Sequence, residues 1–358
     1  MKLLSILHRW SGGFLGLLLA LLGLTGTILL WEGSWVGVRG ASDPLGENPR
    51  AIVAITERAA ADPALARVTF ASDEIGLHLL SNKDGSGAYV SQDGTVVEHW
   101  ADQWQRPELW LFDLHHHLFS GRNGETVTGV AGIAGLLFVV TGSIMWWRTR
   151  RNFALRAWPR RFEPGAILRH HRDLGIVAAP LLFLSMTTGV LMVFHALEEA
   201  ILPGKAAAVT EVVSPSTPQG SPIEAAILQS KEAFPAAALR RISFPAKPGA
   251  PLTVRLRQPF EWTPNGRTQL SFDASTGRLL KIEDPAGATG GAALRDKLYP
   301  LHTAKVGGVA MKLLMTVSGL SLTLLGSLAV WSFWIRKARN RRTRRFSTSG
   351  RDSKLQQA

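Results

Sequence analysis

Four stretches of the chain carry no charged side chain: Ser11 to Trp31, Thr126 to Trp147, Leu174 to Phe194 and Leu313 to Ile335. A helix rises ~1.5 Å per residue and the hydrocarbon core of a bilayer is ~30 Å thick, so each stretch has the ~20 residues a crossing needs. In lipid, backbone polar groups must be satisfied within the segment, and a helix does this. The first stretch follows a basic start, as a cleavable leader would. Its apolar part nevertheless runs on to Trp31 without a small-x-small site before Ala41, so it reads as a retained anchor.

A formal charge of +13 would suggest nucleic acid in a soluble chain. Here the arginines sit elsewhere for a simpler reason. Arg148, Arg150, Arg151, Arg156, Arg160, Arg161, Arg169 and Arg172 connect the second and third stretches, and Arg336 to Arg345 follows the fourth. Short basic connections stay cytoplasmic, which puts both termini inside and residues 32–125 and 195–312 on the far side of an inner membrane. The expected partner is the bilayer, and no nucleic-acid partner is expected. The chain has no cysteine, which excludes thiolate zinc sites, iron–sulfur clusters and covalently attached c-type haem. There is no P-loop, dinucleotide fingerprint or nucleophile elbow. Redox chemistry, if present, rests on histidine or a bound cofactor.

The chain repeats itself. HRWSG at His8 answers HRDLG at His171, and LTG ending at Gly26 answers TTG ending at Gly189, with the same His-to-Gly interval in both. LHHHLFSG from Leu114 answers LHTAKVGG from Leu301, each first histidine standing eleven residues before its apolar run. The external parts echo one another too: an Ala-rich helical stretch precedes LARVTF at 65 and LRRISF at 239. The fold class that follows is a mainly α membrane protein, a four-helix bundle of two duplicated helix pairs, with two small α+β periplasmic modules, each of one helix against a few antiparallel strands. Its parts are a first transmembrane helix (1–31), module 1 (32–110), an outer histidine segment with the second helix (111–148), a basic loop (149–170), the third helix (171–196), module 2 (197–298), an outer histidine segment with the fourth helix (299–336) and a disordered basic tail (337–358). VSPSTPQGSP, 213–222, reads as a linker.

Ionisable residues at the edges of membrane helices are functional candidates. His8 and His171 hold equivalent positions at the inner edge, with Gly12, Gly13, Gly16 and Gly175 within two turns. Glycine lets a flat macrocycle approach the backbone, and two neutral imidazoles from facing helices can fill both axial positions of an iron porphyrin. His115 and His302 are the matching outer pair. His117 lies on another helix face, and His195, closing the third helix, competes for the outer position or bonds Glu198 or Glu199. His170 competes with His171, but the repeat register prefers His171. His78 and His99 read as surface or packing residues. The histidine triplet with Glu108, Asp113 or Glu125 suggests zinc or copper, yet three adjacent helical histidines cannot converge on one ion.

The motifs HRWSGGFLG at His8, DLHHHLFSG with the later TGSIMWW, HRDLG at His171 and PLHTAKVGG at His302, in this order and covering the chain to about residue 337, resemble the PepSY-associated transmembrane proteins of bacterial inner membranes. One branch of that family is similar to a di-haem reductase that passes electrons to a ferric siderophore in the periplasm. The resemblance implies two b-type haems, one on His8 and His171 and one on His115 and His302. It also implies a ferric siderophore as acceptor and a cytoplasmic or quinol donor. The rival expectation is a non-redox membrane protein whose PepSY modules bind peptides or restrain a periplasmic protease.

Overall fold

A computed structural model of the chain describes residues 2–46, 48–155, 159, 161–212 and 220–355, with backbone alone over 339–355. Arg156 and Arg160 of the basic loop, 213–219 of the expected linker and the last three residues lie outside the described residues. The helices in chain order are α1 (Lys2–Leu29), α2 (Glu32–Trp35), α3 (Pro49–Ala60), α4 (Pro107–His117), α5 (Gly121–Thr149), α6 (Pro164–Val193), α7 (His195–Ile201), α8 (Pro222–Ala233), α9 (Gly291–His302) and α10 (Gly308–Leu355). The strands are β1 (Leu65–Thr69), β2 (His78–Asn82), β3 (Gly87–Val90), β4 (Val96–Trp100), β5 (Val209–Glu211), β6 (Ala238–Ser243), β7 (Leu252–Arg257), β8 (Thr268–Phe272) and β9 (Leu279–Glu283).

The chain divides into two compact units. The first takes Met1–Leu30, Asp113–Val193 and Val309–Ala358 and holds α1, α5, α6 and α10. Four of its segments, Lys2–Leu29, Gly121–Asn152, Pro164–Val193 and Gly308–Ala338, are long and apolar enough to cross a membrane. Ala178, Leu182 and Met186 of α6 bury themselves against Leu325 and Leu322 of α10 and Leu136 and Val139 of α5. On α1 the small residues face α10: a Cβ on Gly16 would stand 2.8 Å from the Gly326 carbonyl, and one on Gly13 would stand 2.6 Å from the Phe333 ring. Small residues at such a seam let two backbones approach in the absence of a hydrophobic drive between helices in lipid. This corrects the expected role of Gly12, Gly13 and Gly16, because the face that was to admit a macrocycle is filled by α10. A second correction concerns the tail. Helix α10 continues to Leu355; arginine, which recurs through this segment, is a good helix former and no proline interrupts it.

The second unit, Trp31–Phe112 and Phe194–Gly308, is built on a nine-stranded sheet of order β4-β3-β2-β1-β6-β7-β8-β9-β5. Each expected module is present as a helix followed by a four-stranded meander, α3 with β1 to β4 and α8 with β6 to β9. They are not separate. β1 pairs antiparallel with β6, Val68 opposite Ile242, and one core runs through Val68, Ala226, Ile227, Ile242, Val254, Leu270 and Phe272. The first strand of each meander would otherwise be an exposed edge, and pairing the two removes both edges. β7 shows the alternation that builds the core: Leu252, Val254 and Leu256 point in, while Thr253, Arg255 and Arg257 point out. At the start of α4, Arg106 donates to Glu108 at 2.7 Å and pairs with Glu98, and Tyr89 donates to Glu108 at 3.2 Å. A buried carboxylate needs such partners.

His78 is a core residue, 3% exposed, whose Nδ1 accepts the Ala71 N–H at 3.0 Å and whose ring lies edge-on to Phe70. Burial holds its pKa down at about 4. An unfolded imidazole titrates near ~6.5, so the neutral ring's contribution is complete above that pH and is lost as pH falls through about 4. Denaturation of this unit, followed by tryptophan fluorescence, is expected to lose about 3 kcal/mol over that window. His78→Asn, which keeps an acceptor but cannot take up the proton, should flatten that slope; an equal slope in the variant would exclude His78 as its source.

Candidate functional site

In the first unit two histidines from different helices meet. The rings of His8 on α1 and His171 on α6 have centroids 6.4 Å apart and planes 83° from parallel. An imidazole bound end-on to a metal has its nitrogen ~2.0 Å from the ion and its ring centre about 1.2 Å further back, so two rings sharing one ion have centres roughly 6.3 Å apart. The 6.4 Å separation of His8 and His171 matches that spacing, with the two rings nearly perpendicular. Phe138 of α5 borders His8 edge-on at 5.2 Å.

The chemistry of His8 is fixed by Thr141. The Thr141 hydroxyl donates its only hydrogen to the Leu137 carbonyl at 2.6 Å, one turn back on α5. Its oxygen can therefore only accept from His8 Nδ1, 2.8 Å away. Nδ1 carries the proton, and Nε2 keeps the lone pair that a metal needs. Gly142, the next residue, borders the ring: a Cβ there would be in ordinary contact with His8 Cε1 at 3.6 Å.

The same arrangement recurs at the other end of α1. Thr25 donates to the Leu21 carbonyl at 2.9 Å, and its oxygen lies 2.9 Å from His115 Nδ1. A Cβ on Gly26 would stand 2.9 Å from the His115 ring. So a Thr-Gly pair borders His115 too, with Nδ1 bonded to the Thr25 hydroxyl. Sequence reading noted the LTG and TGS motifs but not this task, since membrane threonines bond their own helix carbonyls in any case.

The remaining candidates are placed as follows. His171 Nδ1 is buried and makes no hydrogen bond. His170, one residue earlier, is 5% exposed with both ring nitrogens buried and unpartnered. His117 Nδ1 lies 2.9 Å from Asp113, a pair one helical turn apart. His116 offers its carbonyl to Thr128 at 3.1 Å, across a reversal in which Leu118 and Phe119 both adopt left-handed φ, 47° and 57°. The chain thus turns just before GRNGE at 121–125. In the second unit His302 ends α9 and is half-buried, while His195 opens α7 and is exposed. Among the described residues no group of three or more His, Asp or Glu side chains is gathered for a bare metal ion. His8 and the orphaned buried Nδ1 of His171 are the two nitrogens here that would hold a porphyrin iron instead.

A family model described as the PepSY-associated TM region matches residues 5–337. The chain belongs to the PepSY-associated TM family. A comparison with curated proteins found no match. The family match reaches all four candidate membrane helices and covers the whole sheet, so in this PepSY-associated TM protein the histidines discussed above all fall within the matched region.

Proposed function

We propose that this PepSY-associated TM protein is a di-haem b-type electron carrier of the bacterial inner membrane that reduces ferric siderophores in the periplasm. The observation that carries the reading is the approach of His8 and His171 to 6.4 Å with the His8 tautomer set for ligation. His8 and His171 would hold the inner haem, and His115 and His302, equivalent in the sequence repeat, the outer one. Bis-imidazole haem supplies one-electron transfer with no coordination position left open for oxygen chemistry.

The protein's own part is to orient and insulate. Thr141 and Thr25 anchor the His8 and His115 rings through Nδ1; the apolar flanks of α5, α6 and α10 exclude water. Hard oxygen ligands suit ferric iron far better than ferrous iron, so one electron delivered to the chelate loosens the metal. Moving that electron outward from a negative interior is favoured by ~2.3 kcal/mol per 100 mV. Stopped-flow mixing of the reduced protein with ferric hydroxamate or catecholate chelates tests the acceptor: reoxidation saturating in chelate is expected, and no reoxidation by any chelate would contradict it.

A consequence of the threonine contact can be measured without turnover. Thr141→Val, which keeps the shape but cannot accept the Nδ1 proton, is expected to raise the rate of haem transfer to excess apomyoglobin ~10–100-fold, with Thr141→Ser restoring it. Equal rates in all three proteins would remove Thr141 from the account.

A further inference from the structure

On the sheet face opposite α3 and α8, three arginines stand together. The pairing register sets Arg241 of β6 directly opposite Arg255 of β7, and Thr69 of β1 opposite Arg241, so that Arg67 lies two residues along β1 beside the same pair. Adjacent strands are ~4.8 Å apart, and like charges directly opposite in a sheet oppose its formation. Among the described residues no ion pair reaches Arg67, Arg241 or Arg255. The carboxylates in the neighbourhood are otherwise engaged. Glu261 accepts the backbone N–H groups of Gln258, Arg267 and Thr268, and Glu283 pairs with Lys281 at 2.6 Å.

Arg241 Nε is buried with no hydrogen-bond partner. Burial, then the charges of Arg67 and Arg255, draw its pKa down to about 10, with only Tyr299 beside it acting in the opposite sense. The adjoining rung adds the hydroxyls of Ser243 and Thr253, which face one another across β6 and β7. Two guanidinium forks one strand spacing apart, a third beside them and the neighbouring hydroxyls make a donor-rich surface, in which Arg255 also donates to Gln269 Oε1 at 3.2 Å; it fits planar oxyanions held bidentately.

We propose that Arg67, Arg241 and Arg255 form a binding site for a small anion carrying two or more carboxylates. The site lies entirely within the sheet unit and does not depend on haem, so its test is independent of the redox reading. The experiment is calorimetry and thermal unfolding of the purified full-length protein in detergent at low salt, with citrate as the probe and phosphate as the comparison. Citrate is expected to bind and to raise the unfolding temperature. Arg255→Gln and Arg241→Gln should each weaken citrate at least ~10-fold, as loss of a charge-assisted contact does. Without citrate, Arg255→Gln should leave the sheet as stable as the parent or more so, since a repulsion is removed. Absence of citrate binding, unchanged affinity in both variants, or phosphate binding as tightly as citrate would overturn the proposal.

Discussion

His8→Ala and His171→Ala are each expected to halve the haem content of the purified protein and to remove the same haem. The second substitution should add nothing to the first, because a b-type haem held by two axial nitrogens is lost when either goes. The 6.4 Å approach of these rings across α1 and α6 is the basis of the expectation. Redox titration of the remaining centre identifies it: both variants should retain one and the same midpoint, and His115→Ala should retain the other. Different midpoints surviving in His8→Ala and His171→Ala would refute the pairing, as would full haem content in either.

The largest stability effect is expected at the α1–α10 seam. Gly16 and Gly326 face each other through their backbones, and a Cβ on Gly16 meets the Gly326 carbonyl at 2.8 Å. A backbone oxygen cannot step aside as a flexible side chain can, so Gly326→Val must push the helices apart along the seam. Overpacking of this kind costs ~1–3 kcal/mol or more, and Gly326→Val should show as a markedly lower unfolding temperature in detergent. Gly175→Ala is the control, since a Cβ there has only Leu325 Cδ2 at 3.9 Å and should cost little. Equal melting of both variants would show that the seam is not closed as described.

Much of this architecture is legible in the chain because its strongest signals are local. Uncharged runs of crossing length give the four helices, and the equal His-to-Gly intervals give the equivalence of His8 with His171 before any contact is seen. What is not legible is what depends on distant partners. Thr141 meets His8 across 133 residues, and nothing near either residue announces it. The pairing of β1 with β6 is likewise invisible, since both strands read as ordinary members of separate meanders. Glycine misleads for a physical reason: it marks close approach without saying of what, and on α1 the approaching partner is Gly326 and Phe333. His78 reads as an unremarkable residue because one imidazole among alternating strand residues gives no sign of which face it takes.

The central claim is that imidazoles from separate membrane helices grip iron porphyrins. The measurement that bears on it most directly is the reduced-minus-oxidised absorption spectrum of the purified protein, with haem quantified as its pyridine complex. A sharp Soret band, resolved α and β bands of low-spin iron, and two non-covalent haems per chain are expected. A colourless protein, fully folded and unable to take up added haem, would contradict it.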